Sequence, residues 1–149
     1  MRYWLMKSEP GVYSMEDLRR DNVTGWDGVR NYQARNYLRE MRIGDKALFY
    51  HSNVQPAFIA GTMKIVRNAY PDPTQFDPGN IHYDAGSSPK EPRWVQVDVK
   101  FLKTFRNHLS LEAVRKTPIL KDMALLKSGR LSVQPVTSKE WECIEGMCS

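Results

Sequence analysis

The sequence predicts a single α+β domain in which helices flank a bent sheet or small β-barrel. Segments with the alternation or apolar run of a strand lie far apart in the chain, and helix-start signals stand between them. The length of 149 residues suits one domain. A chain of that size buries about 70% of its unfolded surface without disulfides or metals. We therefore treat residues 1–149 as one domain.

Two strands and two helices are predicted in the first third of the chain. Residues 3–7 are the opening strand. A helix is predicted from Ser14 to about residue 21, because the serine hydroxyl can accept a backbone N–H and acidic residues follow in the first turn. Residues 31–41 carry apolar side chains at helical intervals, and residues 43–45 supply a turn. A buried strand, residues 47–51, follows.

The middle of the chain predicts two more strands and a long loop. Residues 57–66 are a strand, in which Gly61 indicates a bulge or a close approach of backbone or ligand. Residues 95–101 alternate between apolar and polar side chains, which is typical of a strand with one buried face. Between them, residues 70–92 contain five prolines and little periodicity. They predict an ordered loop that covers the mouth of a binding site.

Three short helices are predicted in the last third. Ser110 starts a helix that ends before Pro118, and a second helical piece covers residues 123–127, with Gly129 as its stop. Thr137 and Glu140 form a capping box, in which each side chain satisfies a backbone donor of the other residue. The final helix is therefore predicted to begin near Ser138.

Composition restricts the classes of partner. The formal charge of +5 and the isoelectric point near 9.3 favour anionic partners such as nucleic acid. Cys143 and Cys148 have no histidines at metal-ligand spacing, so we expect reduced thiols and neither metal nor cofactor. No apolar stretch approaches the ~20 residues that span a bilayer. We expect a cytoplasmic protein, nuclear if the source is eukaryotic.

A tryptophan in a turn gives the strongest indication of a binding site. Trp26 lies between Gly25 and the Asp27-Gly28 pair, and such a turn does not readily bury an indole in a regular element. The ring is therefore predicted to line a cavity, where a planar ligand would stack on it.

Several unusual motifs then occur in one order. They are KSEP at residues 7–10, WDGVRN at 26–31, GDKALFYHS at 44–52, and further segments at 61–62, 69–77, 92–99 and 129–136. Together they resemble the EVE domain family over nearly the whole chain. The resemblance implies a PUA-like fold. It also implies recognition of a modified base, above all 5-methylcytosine or 5-hydroxymethylcytosine in DNA, that is extruded into an aromatic-lined pocket.

The predicted base pocket lies between three segments of the chain. One wall is assigned to Trp26, and the opposite wall stays open between Tyr32, Tyr50, Phe76 and Trp94, although Trp94 also suits the core. Asn31 offers hydrogen bonds to a base but equally suits a helix cap. The full predicted set is Lys7, Ser8, Trp26, Val29, Arg30, Asn31, Tyr32, Tyr50, His51, Ser52 and Phe76.

A phosphate-binding face is predicted on the second helix. Arg35, Arg39 and Arg42 follow one another at spacings of four and three, which places them on one side of a helix. The alternative is a solvated helix face.

Two other functions compete with a DNA reader. PUA-like folds also serve as RNA-binding modules, and the related ASCH fold includes a small amidohydrolase that acts on modified cytidine. Catalysis by Lys7, Ser8 and Glu9 is disfavoured, because neighbours in a strand point to opposite faces. A reader without an effector domain suggests that the biological output depends on an effector protein in trans or on simple sequestration.

Overall fold

One mixed sheet of six strands organises the chain, for which a computed structural model describes residues 1–149. Its order is β2-β5-β4-β3-β1-β6; β1 and β3 are parallel, and the other neighbours are antiparallel. The edge strands β2 and β6 do not pair with each other, so the bent sheet stays open and the small barrel does not form. The strands are β1 (Tyr3–Ser8), β2 (Val23–Gly25), β3 (Lys46–His51), β4 (Phe58–Pro71), β5 (Val95–Ser110) and β6 (Val133–Val136).

Five α-helices flank the sheet, and their starts follow the capping signals. Ser14 and Thr137 cap their helices as the sequence predicts; the predicted capping box forms at Thr137, and Ser14 completes a second one with Asp17. None of the helices has the length and apolar character needed to cross a membrane. The helices are α1 (Met15–Asp21), α2 (Tyr32–Glu40), α3 (Leu111–Arg115), α4 (Ala124–Lys127) and α5 (Ser138–Cys148).

Both faces of the central strands are buried. Trp4 and Phe49 belong to a first core, which packs against α1 and α2. Leu5 and Tyr50 belong to a second core, which packs against α3, α4 and α5. Burial on both faces explains why β3 reads as a continuous apolar run, as is usual for parallel strands.

Two strands lack a sequence signal, and two are longer than predicted. β2 has only three residues, too few to show alternation. β6 contains Pro135, which lacks a backbone donor and is tolerated because β6 is an edge strand. β4 continues to Pro71, into the predicted loop. β5 continues to Ser110. Register shifts against β4 interrupt the simple alternation beyond Phe101, and this is why the sequence pattern does not show the extension.

Gly61 lies where β4 bends. The register shifts next to it in both pairings, with β3 and with β5. A side chain here would overlap the carbonyl oxygen of Lys103. Both parts of the sequence prediction, a bulge and a close backbone approach, are thus confirmed.

The segment between β4 and β5 is anchored by a buried glutamine. Gln75 lies in a short 3₁₀-helix, Pro73–Phe76. Its amide nitrogen donates to the carbonyl oxygens of Asp72 (2.7 Å) and Trp94 (2.8 Å), and its amide oxygen accepts from the Trp94 backbone (3.0 Å) and the Ser87 hydroxyl (2.6 Å). Four hydrogen bonds from one side chain order a loop that has little periodicity.

Candidate functional site

Two adjoining cavities open where β1 and β3 end. The strands are parallel, so Lys7 lies opposite Tyr50 and Ser8 opposite His51 at one edge of the sheet. Carboxyl ends of parallel strands commonly form ligand crevices. We call the cavity of about 670 Å³ the Trp26 cavity and the one of about 500 Å³ the Arg115 cavity. Both volumes lie within the range of about 300–1,000 Å³ for ligand sites.

Trp26 is both a wall of its cavity and part of the first core. The residue is 7% exposed, and its ring lies 5.2 Å from that of Phe49 at 82°. Its backbone N–H donates to the Val97 carbonyl at 2.8 Å, which fixes the turn against β5. Tyr13 and His82 also line this cavity and bring two further ring systems to it.

The buried carboxylate of Asp72 holds the turn that follows Trp26. It accepts from the Gly28 backbone (2.8 Å), from Arg30 (3.1 Å), and from the backbone (2.8 Å) and hydroxyl (2.6 Å) of Thr74. Burial alone would raise the pKa of Asp72. The bonds from Thr74, Gly28 and Arg30 outweigh burial and lower this pKa below its ordinary value. The group therefore stays ionised at neutral pH.

Arg30 connects this turn to the loop on the other side of the cavity. Its guanidinium donates twice to the carbonyl oxygen of His82, at 3.0 and 2.8 Å, and once to the Thr74 hydroxyl at 2.9 Å. His82 then lies so close to Gly28 that a Cβ there would be 2.7 Å from the imidazole Nε2. Gly28 also has φ +82°, which favours glycine.

Three polar side chains give the Trp26 cavity its chemistry. Burial and the nearby Asp72 carboxylate raise the pKa of the Asp27 carboxyl. The Ser8 hydroxyl donates to the Tyr13 carbonyl at 2.6 Å. The Tyr13 hydroxyl donates to Asp21 at 2.9 Å, and burial with this bond raises its pKa to about 12. Asp27 is the one of these whose side chain makes no hydrogen bond to another residue.

The Arg115 cavity lies on the side of the second core. Tyr50, Ser52, Arg115 and Arg130 are among its lining residues. The Lys7 ammonium lies 5.8 Å from the Tyr50 ring centroid and donates to the Gly129 carbonyl at 2.7 Å. Burial lowers the pKa of Lys7.

Comparison with known proteins gives the family. The family model of the EVE domain matches residues 2–147. Thymocyte nuclear protein 1 of Danio rerio is 48% identical over 160 residues, which cover 95% of this chain and 69% of that protein. The chain belongs to the EVE domain family. The resemblance noted in the sequence motifs is thereby confirmed.

Solved structures extend the comparison. The crystal structure of human THYN1 in complex with 5-methylcytosine containing DNA matches this EVE domain with a TM-score of 0.93 and 44% identity, covering 99% of this chain and 97% of that chain. An ASCH protein of Zymomonas mobilis matches with a TM-score of 0.59 at 8% identity, covering all of both chains. The second likeness concerns the fold alone.

The structure gathers five of the eleven predicted pocket residues around the two cavities. Lys7 and Ser8 border both cavities, and Trp26 lines the larger one. Tyr50 and Ser52 line the smaller one, so they lie away from the Trp26 ring.

Three of the other predicted residues have structural roles near the turn. Val29 is buried in the first core. Arg30 holds the turn and loop together, as described above. Asn31 caps α2, its side chain accepting from the Ala34 backbone at 2.9 Å. The capping alternative that the sequence left open is thus confirmed for Asn31.

The last three predicted pocket residues lie apart from the cavity linings. Tyr32 is exposed and stacks on Trp94, with ring centroids 4.8 Å apart. His51 accepts from the Met15 backbone at 3.1 Å, and burial lowers its pKa. Phe76 ends the 3₁₀-helix in the loop. None of the four candidates for the second wall lies in the Trp26 cavity, where Tyr13 and His82 provide the other rings.

The predicted arginine face is only partly present. α2 ends at Glu40, so Arg42 lies beyond the helix and its placement on a helix face is wrong. Arg35 lies over the Tyr32 ring at 4.7 Å and donates to the Arg93 carbonyl at 3.1 Å. Arg39 is exposed on α2. Phosphate contacts by Arg35 and Arg39 stay a prediction.

Lys7 and Ser8 do not form a catalytic pair. Alternation along β1 places Lys7 on the face of Leu5 and Ser8 on the face of Met6. Both polar groups already donate to backbone carbonyls, at Gly129 and Tyr13. No three His, Cys, Asp or Glu side chains gather in a way that could hold a metal ion.

Sequence reasoning missed the residues that long-range folding brings to the site. Tyr13 lies in a segment without a binding signal, and His82 lies in the loop predicted to cover the site, although no residue of that loop other than Phe76 is assigned to the pocket from the sequence. Arg115 and Arg130 come from the last third of the chain. Asp27 could have been found, because it lies inside the WDGVRN motif and immediately follows Trp26.

Proposed function

We propose that this EVE domain is a reader of 5-methylcytosine in DNA that holds the extruded base in the Trp26 cavity. The observation that carries this proposal is the 44% identity and TM-score of 0.93 to human THYN1, whose structure contains 5-methylcytosine DNA. Support comes from a cavity that combines a tryptophan wall with a carboxyl group that makes no hydrogen bond to another residue.

The energy of base extrusion sets what the cavity must supply. Extrusion costs a few kcal/mol, whereas each aromatic stack contributes ~1–3 kcal/mol. Trp26 is only 7% exposed, so its contribution lies at the low end. A second ring is therefore required, and Tyr13 and His82 are the two candidates that line the same cavity.

Asp27 is the group best suited to the edge of a cytosine. A carboxylate accepts from the N4 amino group of cytosine, and a good polar pair discriminates against a wrong base by ~1–3 kcal/mol. Thymine presents an acceptor at that position and would face the carboxylate unpaired. Thymine carries the same 5-methyl group, so the methyl group cannot distinguish it from 5-methylcytosine. Asp27 would provide this discrimination through the N4 amino group.

The methyl group alone gives weak discrimination. Its burial contributes ~0.8 kcal/mol, roughly fourfold in affinity. A hydroxymethyl group would gain more only from a buried polar partner, since an unpaired one costs ~1–3 kcal/mol. The Ser8 hydroxyl lines the cavity but already donates to the Tyr13 carbonyl. Its oxygen can still accept a hydrogen bond, so the duplexes described below decide between methylated and hydroxymethylated cytosine.

Matched duplexes test the proposal. They carry cytosine, 5-methylcytosine or 5-hydroxymethylcytosine at one site, and affinities are measured at fixed, near-physiological salt. We expect 5-methylcytosine to bind at least fourfold more tightly than cytosine. Equal, salt-sensitive binding of all three would contradict base reading and leave only attraction to the backbone. The same sequences made as RNA show whether a 2′-hydroxyl is preferred.

A further inference from the structure

The Arg115 cavity has the composition of an anion site. Three cationic side chains, Lys7, Arg115 and Arg130, line it against one carboxylate, Glu9. The Glu9 carboxylate accepts from the Asn53 side-chain amide at 3.1 Å. The lining is therefore net positive, over an apolar floor formed by leucines of α3 and α4.

The two arginines are free to bind a ligand. Arg20 and Arg30 pair with carboxylates elsewhere in the chain, whereas Arg115 and Arg130 form no ion pair. The hydroxyl of Tyr50 lines the same cavity without a hydrogen-bond partner in the protein. Guanidinium groups bind phosphate oxygens through two parallel N–H donors, which a hydroxyl can supplement.

The cavity adjoins the proposed base site. Lys7, Ser8 and Glu9 border both cavities, so the two meet over the end of β1. An extruded nucleotide stays covalently joined to its flanking phosphates, which must leave the Trp26 cavity by its mouth. One path from that mouth leads over Lys7 toward Arg115 and Arg130.

We propose that the Arg115 cavity binds a phosphodiester next to the base held in the Trp26 cavity. This inference rests on the proposed function for the identity of the polymer. It places the backbone contacts on Lys7, Arg115 and Arg130, on the opposite side of β1 from the Trp26 ring. The site thereby recognises a nucleotide within a strand in preference to a free nucleoside.

Salt dependence of duplex binding provides the first test. In R115Q/R130Q both charges are lost, and R106Q is the matched control, because Arg106 is exposed on β5 and lines neither cavity. Each phosphate contact contributes about 0.9 to the slope of log affinity against log salt. Between 50 and 200 mM salt, loss of this one phosphate contact means that the wild type should lose about 3- to 4-fold more affinity than the double variant. Equal slopes for all three proteins would overturn the proposal.

Methylphosphonate linkages locate the contact. Neutralising the linkages that flank 5-methylcytosine should weaken wild-type binding more than binding of R115Q/R130Q, in which only Lys7 of the three cations remains. Equal weakening of both would also overturn the proposal. Binding of 5-methyl-2′-deoxycytidine, followed by NMR shifts, should be the same in both proteins. If this nucleoside shifts no resonance around Trp26 while the methylphosphonate effect persists, the base-reading function fails and the phosphate site stands.

The stability of the variants is a necessary control. Arg115 lies in the last turn of α3, where a positive charge interacts favourably with the helix dipole, so its replacement could destabilise the fold. Thermal unfolding of each variant therefore accompanies the binding measurements.

Discussion

Replacement of Trp26 by leucine separates the two roles of this side chain. Trp26 is 7% exposed. A large aromatic side chain has an area of up to about 250 Å², so at most roughly 18 Å² of it faces the cavity. Covering that area gives about 0.4 kcal/mol. An aromatic pair adds ~0.5–1.5 kcal/mol. The expected loss is about 1–2 kcal/mol, which weakens binding of the 5-methylcytosine duplex about 5- to 30-fold.

Phe49 supplies the matched control for this experiment. It contacts Trp26 edge to face at 5.2 Å, is fully buried, and lines neither cavity. Trp26→Leu and Phe49→Leu should each lower the free energy of unfolding by about 1–3 kcal/mol. Only the first should weaken duplex binding by the amount above.

Titration of the duplex by fluorescence anisotropy, with urea unfolding of each variant, measures both quantities. Equal loss of affinity in the two variants would show that binding depends on the core and not on the exposed edge of the Trp26 ring. Wild-type affinity in Trp26→Leu would refute the stacking role outright.

Three further changes test the parts of the site. Gly28→Ala should lower the free energy of unfolding by about 1–2 kcal/mol because of its positive φ, and it should also weaken duplex binding because the new Cβ displaces His82. Gly44→Ala is the control: Gly44 also has a positive φ, +99°, but open space around it, so only stability should fall. Urea unfolding measures the stability and fluorescence anisotropy the affinity. Asp27→Asn should reduce the preference for 5-methylcytosine over thymine about tenfold in competition binding, and an unchanged ratio would exclude Asp27 from base reading. Asp72→Asn should lower the unfolding free energy by about 3 kcal/mol at pH 7. Because the folded pKa of Asp72 is depressed, this difference from wild type should narrow as pH falls below 3.8, and a constant difference would contradict its ionised role.

The fold was predictable where the signal is local. Helix starts at Ser14 and Thr137 depend on residues a few positions apart, and both residues cap their helices as the sequence indicates. β6 depends instead on pairing with β1, some 130 residues away in the chain. Its Pro135 argues against a strand unless the strand is known to lie at an edge. Topology, which no local pattern contains, decides such segments.

The candidate site was predictable in part for the same reason. Gly25 and Gly28 around Trp26 indicate a ring at a cavity, and the ring does line one. The sequence offers Tyr32, Tyr50, Phe76 and Trp94 as candidates for the second wall. Of these, Tyr32 and Trp94 stack on each other outside the cavity. The ring of His82 is brought to the cavity by a hydrogen bond between Arg30 and the His82 carbonyl. The sequence predicts that the loop containing His82 covers the site, but no local pattern shows which residue of the loop reaches it.

Arg30 shows why residues of a family motif need not touch the ligand. The motif led us to expect this guanidinium at the edge of a base, yet it donates to the His82 carbonyl, to Thr74 and to the buried Asp72 carboxylate. Asp72 in turn fixes Gly28, so one ion pair sets both the turn after Trp26 and the opposing loop. The distance between the Trp26 wall and the His82 wall therefore depends on this pair. A planar base needs that distance to be held before it arrives, because ordering a loop on binding would consume much of the ~1–3 kcal/mol that each stack contributes.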